Sequence, residues 1–228
     1  MLMPGFGSPR VPVNVRVFLA VSVTLALAPV LVPVLEADLS KVSTVVMAQL
    51  VVSETLVGGI IGIMGRIFMI ALQFAGTATA SLIGFSGMAD APVEDSEPAP
   101  SIATLFTLTA TVLVFITGLH IEIFRALVAS YSVVHVTDVF DTRFALSKVT
   151  DAASDSFLLV AQLASPFLVY SLVVNFLFGV MNKLSPLIPV YFISAPFVLA
   201  GGLILLFFTF GEALKLFLSG FQNFLVNG

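Results

Sequence analysis

The chain has 228 residues, 59% of them hydrophobic and only 10% charged, with a net charge of −4. A soluble domain usually carries about a quarter charged residues, so this chain has too little polar material to cover a surface that faces water. The slightly acidic balance excludes the basic stripe of a nucleic-acid binder, and the absence of cysteine excludes a disulfide framework or a thiolate metal site. Tryptophan is absent too, so an interfacial aromatic belt falls to Tyr131, Tyr170, Tyr191 and the phenylalanines.

Arg10 and Arg16 precede the first apolar run, Val17 to Leu35. That run is longer than the roughly 7–15-residue core of a signal peptide and long enough to span a bilayer. It therefore reads as a retained helix. Pro29 and Pro33 each remove a backbone donor and crowd the preceding turn, which predicts a bend or an end in its second half. Glu36, Asp38 and Lys41 mark a short polar turn.

Val42 to Ala89 is apolar except for a few polar positions, with Glu54 and Arg66 its only charges, and it is too long for one crossing. It predicts two helices, or one that bends near Gly58, Gly59, Gly62 and Gly65. The sharpest change in composition follows, from Ala89 to Ser101. This segment holds Asp90, Glu94, Asp95 and Glu97 with Pro92, Pro98 and Pro100 and no basic residue. Clustered like charges and prolines oppose both helix and burial, so it reads as a loop, facing away from the cytoplasm because it lacks Lys and Arg. It is either a solvated connector or, with Met88, a gate or plug.

Ile102 to Ala129 reads as one threonine-rich apolar helix. The stretch from Val136 to Asp155 is polar, with Asp138, Asp141, Arg143, Lys148, Asp151 and Asp155. Phe157 to Met181 is the next apolar run, ended by Asn182, Lys183, Pro186 and Pro189. Val190 to Phe210 follows, then an amphipathic tail with Glu212 and Lys215. The runs are too long for strands and do not alternate, so the fold class is all-α: a polytopic membrane protein of five or six hydrophobic helices in one domain, residues 1–228.

Glu54, Gly58, Gly62 and Arg66 recur every fourth residue and form a slowly drifting helical ridge. The glycines permit close approach of another helix. A charge at mid-bilayer costs roughly 2.5–3.5 kcal/mol, so both charged ends should meet protein or water rather than lipid. The ridge is thus a packing seam or a pore-facing or subunit-contact surface. Asn175, Gly179 and Asn182 form a second ridge, whose asparagines suit hydrogen bonds across helices. His120 is read as a structural donor or a proton relay, and Glu122 with Arg125 as a local pair. The sequence presents no catalytic, cofactor or metal site: the two histidines lack ligand spacing and no P-loop occurs.

The opening Pro4-Gly5-Phe6-Gly7-Ser8-Pro9-Arg10-Val11-Pro12, with Val15-Arg16 and Leu19-Ala20, resembles the start of the FliR family. That family is the export-gate component of bacterial type III secretion, with injectisome counterparts of the SctT type. Glu54, Gly58, Gly62, Arg66, Gln73 and Gly76 match its glycine-punctuated region in order. Gly118, His120, Ala126, Ser130 and Tyr131 resemble another segment, with Thr117 where the family usually has Asn. Pro166, Asn175, Gly179, Asn182, Pro186, Pro196 and Gly201 resemble its C-terminal region. The resemblance covers nearly the whole chain.

It implies kinked hydrophobic helical hairpins, partly raised out of the bilayer, in an inner-membrane assembly at the base of the flagellum. It implies FliP-like and FliQ-like partners, other flagellar export membrane proteins, and unfolded flagellar proteins as cargo. It places the plug loop at Gly84 to Ser101. An injectisome subunit and a small secondary transporter are the alternatives. Family members usually carry about one more apolar segment before the opening motif, so the chain is expected to be short there or to start later than its natural counterpart.

Overall fold

The computed structural model describes residues 11–39, 43–85, 101–133, 142–185, 187 and 190–227. Among them lie six α-helices and no strand: α1 (Val13–Leu39), α2 (Thr44–Leu82), α3 (Ser101–Ile116), α4 (Leu119–Val133), α5 (Thr142–Leu184) and α6 (Val190–Asn227). Four of them are long and apolar enough to cross a membrane, or up to five spans if α3 and α4 count as one broken span. The all-α, polytopic reading therefore holds.

Several boundaries differ from the sequence expectation. Helix α1 continues through Pro29 and Pro33 and takes in Glu36 and Asp38, so no turn separates those residues from it. Among the described residues, no side chain of the apolar stretch Val13–Pro33 is buried within the chain, although several are partly covered. Helix α2 is a single element of 39 residues that contains Gly58, Gly59, Gly62 and Gly65. A helical glycine costs about 1 kcal/mol but breaks nothing where neighbours hold the turn, and Gly62 and Gly65 are buried.

The stretch Ile102 to Ala129 is two helices rather than one. Gly118 adopts a left-handed conformation (φ 77°), its N–H bonds the Phe115 carbonyl at 3.3 Å, and α4 starts directly after it. This is the usual way for a glycine to end a helix. The polar residues from Arg143 to Asp155 form the first turns of α5, where Ala152 and Ser156 face inward and Asp151 and Asp155 outward. The amphipathic tail is the continuation of α6, with Leu214, Phe217 and Phe221 buried and Lys215 donating to Glu212 at 2.7 Å on the exposed side.

The chain divides into two compact units. Unit 1 comprises Met1–Met69, Val114–Ser154 and Gln222–Gly228. Its buried side chains include Leu50, Phe68, Leu119 and Ile123, and the Phe68 ring lies 4.7 Å from that of Phe224. Unit 2 comprises Ile70–Leu113 and Asp155–Phe221. Its core draws Leu72, Ala75 and Ala80 from α2, Phe106 from α3, Phe167 from α5 and Phe217 from α6.

Unit 2 is built on small residues. A methyl group added at Gly76 would lie 2.6 Å from the Ala103 Cα, and one added at Gly202 would lie 2.5 Å from the Ile83 Cβ. Helix α3 thus meets α2 at backbone distance, and α6 closely approaches Ile83, the residue just past α2, as small residues allow in membranes, where dispersion rather than water release drives packing. Tyr170 on α5 donates to the Val198 carbonyl of α6 at 2.6 Å, and a methyl at Gly201 would lie 2.7 Å from that hydroxyl.

Candidate functional site

The plug or gate positions Met88, Asp90, Glu94, Asp95 and Glu97 lie outside the described residues. The described chain leaves α2 through Ile83, fully buried, and Gly84, in a left-handed turn (φ 78°) with its N–H on the Ser81 carbonyl at 3.2 Å. It resumes at Ser101, followed by the buried Ile102 and Ala103.

The polar ridge of α2 does not stay on one face. Four residues turn a helix by about 400°, so three such steps drift by roughly 120°. Glu54 is half-buried, Gly58 exposed, Gly62 buried and Arg66 exposed. Among the described residues, a methyl at Gly58 would meet nothing within 4 Å, so no described helix packs on this glycine. Glu54 meets Tyr131 of α4 instead, which donates its phenol hydrogen to the carboxylate. Burial first, and the Glu54 carboxylate second, push the Tyr131 hydroxyl up to about 12, so it remains a donor at neutral pH. Tyr131 lies just beyond the candidate span, which ends at Ala129.

The contact joins residues far apart in sequence, and no spacing rule could have found it. Tyr131→Phe removes the donor and leaves a half-buried carboxylate unpaired. It is expected to cost about 1 kcal/mol and to lower the thermal midpoint of the purified chain in detergent, whereas Glu54→Gln, which still accepts the bond, should cost less. Equal midpoints for wild type and Tyr131→Phe would show that the bond contributes nothing.

The second ridge behaves differently from the expectation. Asn175 donates to the Ser171 carbonyl at 2.8 Å and approaches the Ser171 hydroxyl at 3.1 Å, both on its own helix. It makes a local bond because α5 is exposed on this side: Asn175, Gly179 and Asn182 all lie open, and no described residue stands within 4 Å of a methyl at Gly179. The same region exposes Leu172, Phe176 and Leu184, and the first turns of α6 expose Phe192 and Phe197. Between the ends of these two helices is an apolar cavity of about 360 Å³, lined by residues that include Met181, Leu184, Ile193 and Phe197.

His120 faces its own neighbourhood. Its Nδ1 lies 3.5 Å from the Val114 carbonyl, and its ring lies 5.2 Å from that of Phe115. The contact bridges the break between α3 and α4. Arg125 donates to Glu122 at 2.6 Å, the local pair that the i, i+3 spacing predicts.

Helices this long and apolar, and this exposed, define a polytopic membrane protein. The chain belongs to the bacterial export proteins, family 1, which it matches over residues 1–224. It is similar to the flagellar biosynthetic protein FliR of Caulobacter vibrioides, with 29% identity over 210 residues, covering 90% of this chain and 81% of that protein. The resemblance carried by the opening motif, the glycine-punctuated α2 and the C-terminal Pro and Asn positions is thus borne out for the family.

Proposed function

We propose that this protein is a subunit of the flagellar type III export gate in the bacterial inner membrane. There it helps to form a protein-conducting path with FliP-like and FliQ-like subunits, through which unfolded flagellar proteins pass. One observation carries the proposal: the exposed apolar surface is longer than a bilayer can cover. The apolar stretch Phe192–Val226 of α6 has 35 residues, and α2 has 39. At 1.5 Å per residue these are about 52 and 58 Å, against a hydrocarbon core of about 30 Å. Tilting alone would need more than roughly 50°, whereas spanning helices tilt by 0–40°.

Exposed side chains run along these helices, from Phe192 to Val226 on α6 and from Val45 to Phe74 on α2. What lipid does not cover, other proteins must. A subunit that is incomplete alone fits an export assembly better than a transporter working as one chain. The flagellar assignment follows the similarity to FliR. In this reading Ala89 to Ser101 is the plug, and the positions Glu54, Gly58, Gly62, Arg66, Asn175 and Asn182 contact partners or the path.

The test is affinity purification of the chain in mild detergent, followed by mass spectrometry and a flagellin-secretion assay of the deletion strain. Recovery of FliP-like and FliQ-like chains, together with lost secretion, is expected. A monodisperse chain that takes up a small solute on its own, with secretion intact in the deletion strain, would sink the proposal.

A further inference from the structure

Helix α1 runs without interruption through two prolines, Pro29 and Pro33, and both are exposed. In an α-helix each carbonyl accepts from the N–H four residues on, and proline has no N–H. The carbonyls of Leu25 and Pro29 therefore lose their usual donors. Each proline ring also crowds the carbonyl it fails to bond and pushes it aside. The helix has no side chain to repair this. Leu25 to Leu35 contains no polar residue, and the Thr24 hydroxyl, just before it, donates to the Ala20 carbonyl at 2.9 Å. No side chain of a described residue donates to either carbonyl.

Both prolines stand on the open side of α1. Phe18, Val21, Leu25, Pro29 and Val32 fall within about a third of a turn at roughly 100° per residue, and all are exposed. Leu19, Val23, Leu27 and Leu31, on the other side, are partly covered. The uncharged run from Val17 to Leu35 has 19 residues. That is about 28 Å of helix, against a hydrocarbon core of about 30 Å, so Leu25 lies near the middle of the core. Lipid tails have no hydrogen to donate, water is excluded at that depth, and an unpaired carbonyl there is costly. These conditions narrow what covers the face. Lipid leaves the carbonyls unpaired, whereas an apolar helix with a polar side chain pairs them.

We propose that the open face of α1, centred on Leu25 and Pro29, docks an apolar helix of a partner chain, and that this helix brings a hydroxyl or carboxamide donor (Ser, Thr, Asn or Gln) level with the two carbonyls. The face selects its partner by a hydrogen-bond donor rather than by charge. The proposal deepens the export-gate reading and rests on it for the partner being an export subunit.

Photo-crosslinking in the assembled complex in cells is the test. Benzoylphenylalanine placed at Phe18 or at Leu25 is expected to join α1 to one partner chain, and the same group at Leu27 is not. The crosslinked peptide should hold Ser, Thr, Asn or Gln within one helical turn of the attachment point. Pro29→Ala with Pro33→Ala restores both N–H groups and closes the carbonyls inside the helix. Helix content by circular dichroism should then be kept, while recovery of the partner falls several-fold. Replacing the partner's donor by Ala should lower recovery several-fold with wild-type α1 and have no further effect with the double-Ala α1.

Adducts to lipid alone, or to a second copy of this chain, overturn the proposal. So do a crosslinked peptide without a donor, unchanged recovery in the double-Ala chain, and a donor truncation that acts equally in both backgrounds. The two readings fail separately. If partners are recovered and secretion needs the chain, yet the open face of α1 crosslinks to none of them, the docking face falls and the export reading stands. If the face crosslinks to a donor-bearing helix of a chain that secretion does not need, the export reading falls and the docking face stands.

Discussion

Removing Asp90 to Glu97 is expected to make the membrane leak small ions while the chain stays folded and keeps its partners. The segment Ala89 to Ser101 holds four carboxylates and three prolines without a basic residue. Such a stretch cannot enter hydrocarbon, where each charge would cost roughly 2.5–3.5 kcal/mol even on the mildest scale. Charge of this kind belongs in water, and under the proposed export-gate function that water is the conduit. The deletion takes nothing from the described core, because Ile83 and Ala103 keep their contacts with Gly202 and Gly76. Potassium efflux from cells and secretion of flagellin would report the effect. Unchanged efflux with unchanged secretion would make the segment a connector.

The largest loss of stability is expected from Phe217→Ala. Phe217 is fully buried in α6, and its ring stacks nearly parallel to that of Phe221, with centroids 6.0 Å apart. Truncation of a buried Phe costs about 3–5 kcal/mol, as lost transfer energy plus the cavity left behind. In a membrane the transfer part shrinks, because lipid is as apolar as the core, but the lost contacts remain. The lower end, about 3 kcal/mol, is therefore the expected cost. Phe207, 79% exposed on the same helix, is the control, and Phe207→Ala should change stability by less than about 0.5 kcal/mol in the detergent-solubilised chain. Equal losses at the two positions would mean that the packing of unit 2 does not decide its stability.

Much of the helical pattern was legible because it depends on local chemistry. The end of α5 at Leu184 follows from the Asn, Lys and Pro residues around it. The acidic segment stands out by composition alone, and the Glu122–Arg125 pair by its spacing. Boundaries failed where a local preference competed with packing. Gly118 was a legible stop signal, a glycine within a helical pattern, yet the apolar run around it concealed the break. Pro29 and Pro33 suggested an end that α1 does not take. The polar residues of Arg143 to Asp155 hid a helix start, because their inward positions are Ala152 and Ser156, which carry little hydrophobic signal.

The candidate positions divide in the same way. The ridge through Glu54 and Arg66 was legible as a spacing, but its exposure was not. A drift of about 120° carries it across faces, and which face is covered depends on the neighbouring helices. The bond from Tyr131 to Glu54 and the local bond of the exposed Asn175 back to Ser171 depend on what stands beside each helix.

By itself the sequence determined that this is a helical membrane protein of the bacterial export family, because hydrophobicity and residue order along the chain suffice for both. Only the tertiary structure decided which glycines matter. Gly58 and Gly76 read alike in sequence, yet one meets no described neighbour and the other touches the Ala103 backbone. The reason is physical: a glycine acts through the atom it lacks, and the value of that space depends on which helix fills it.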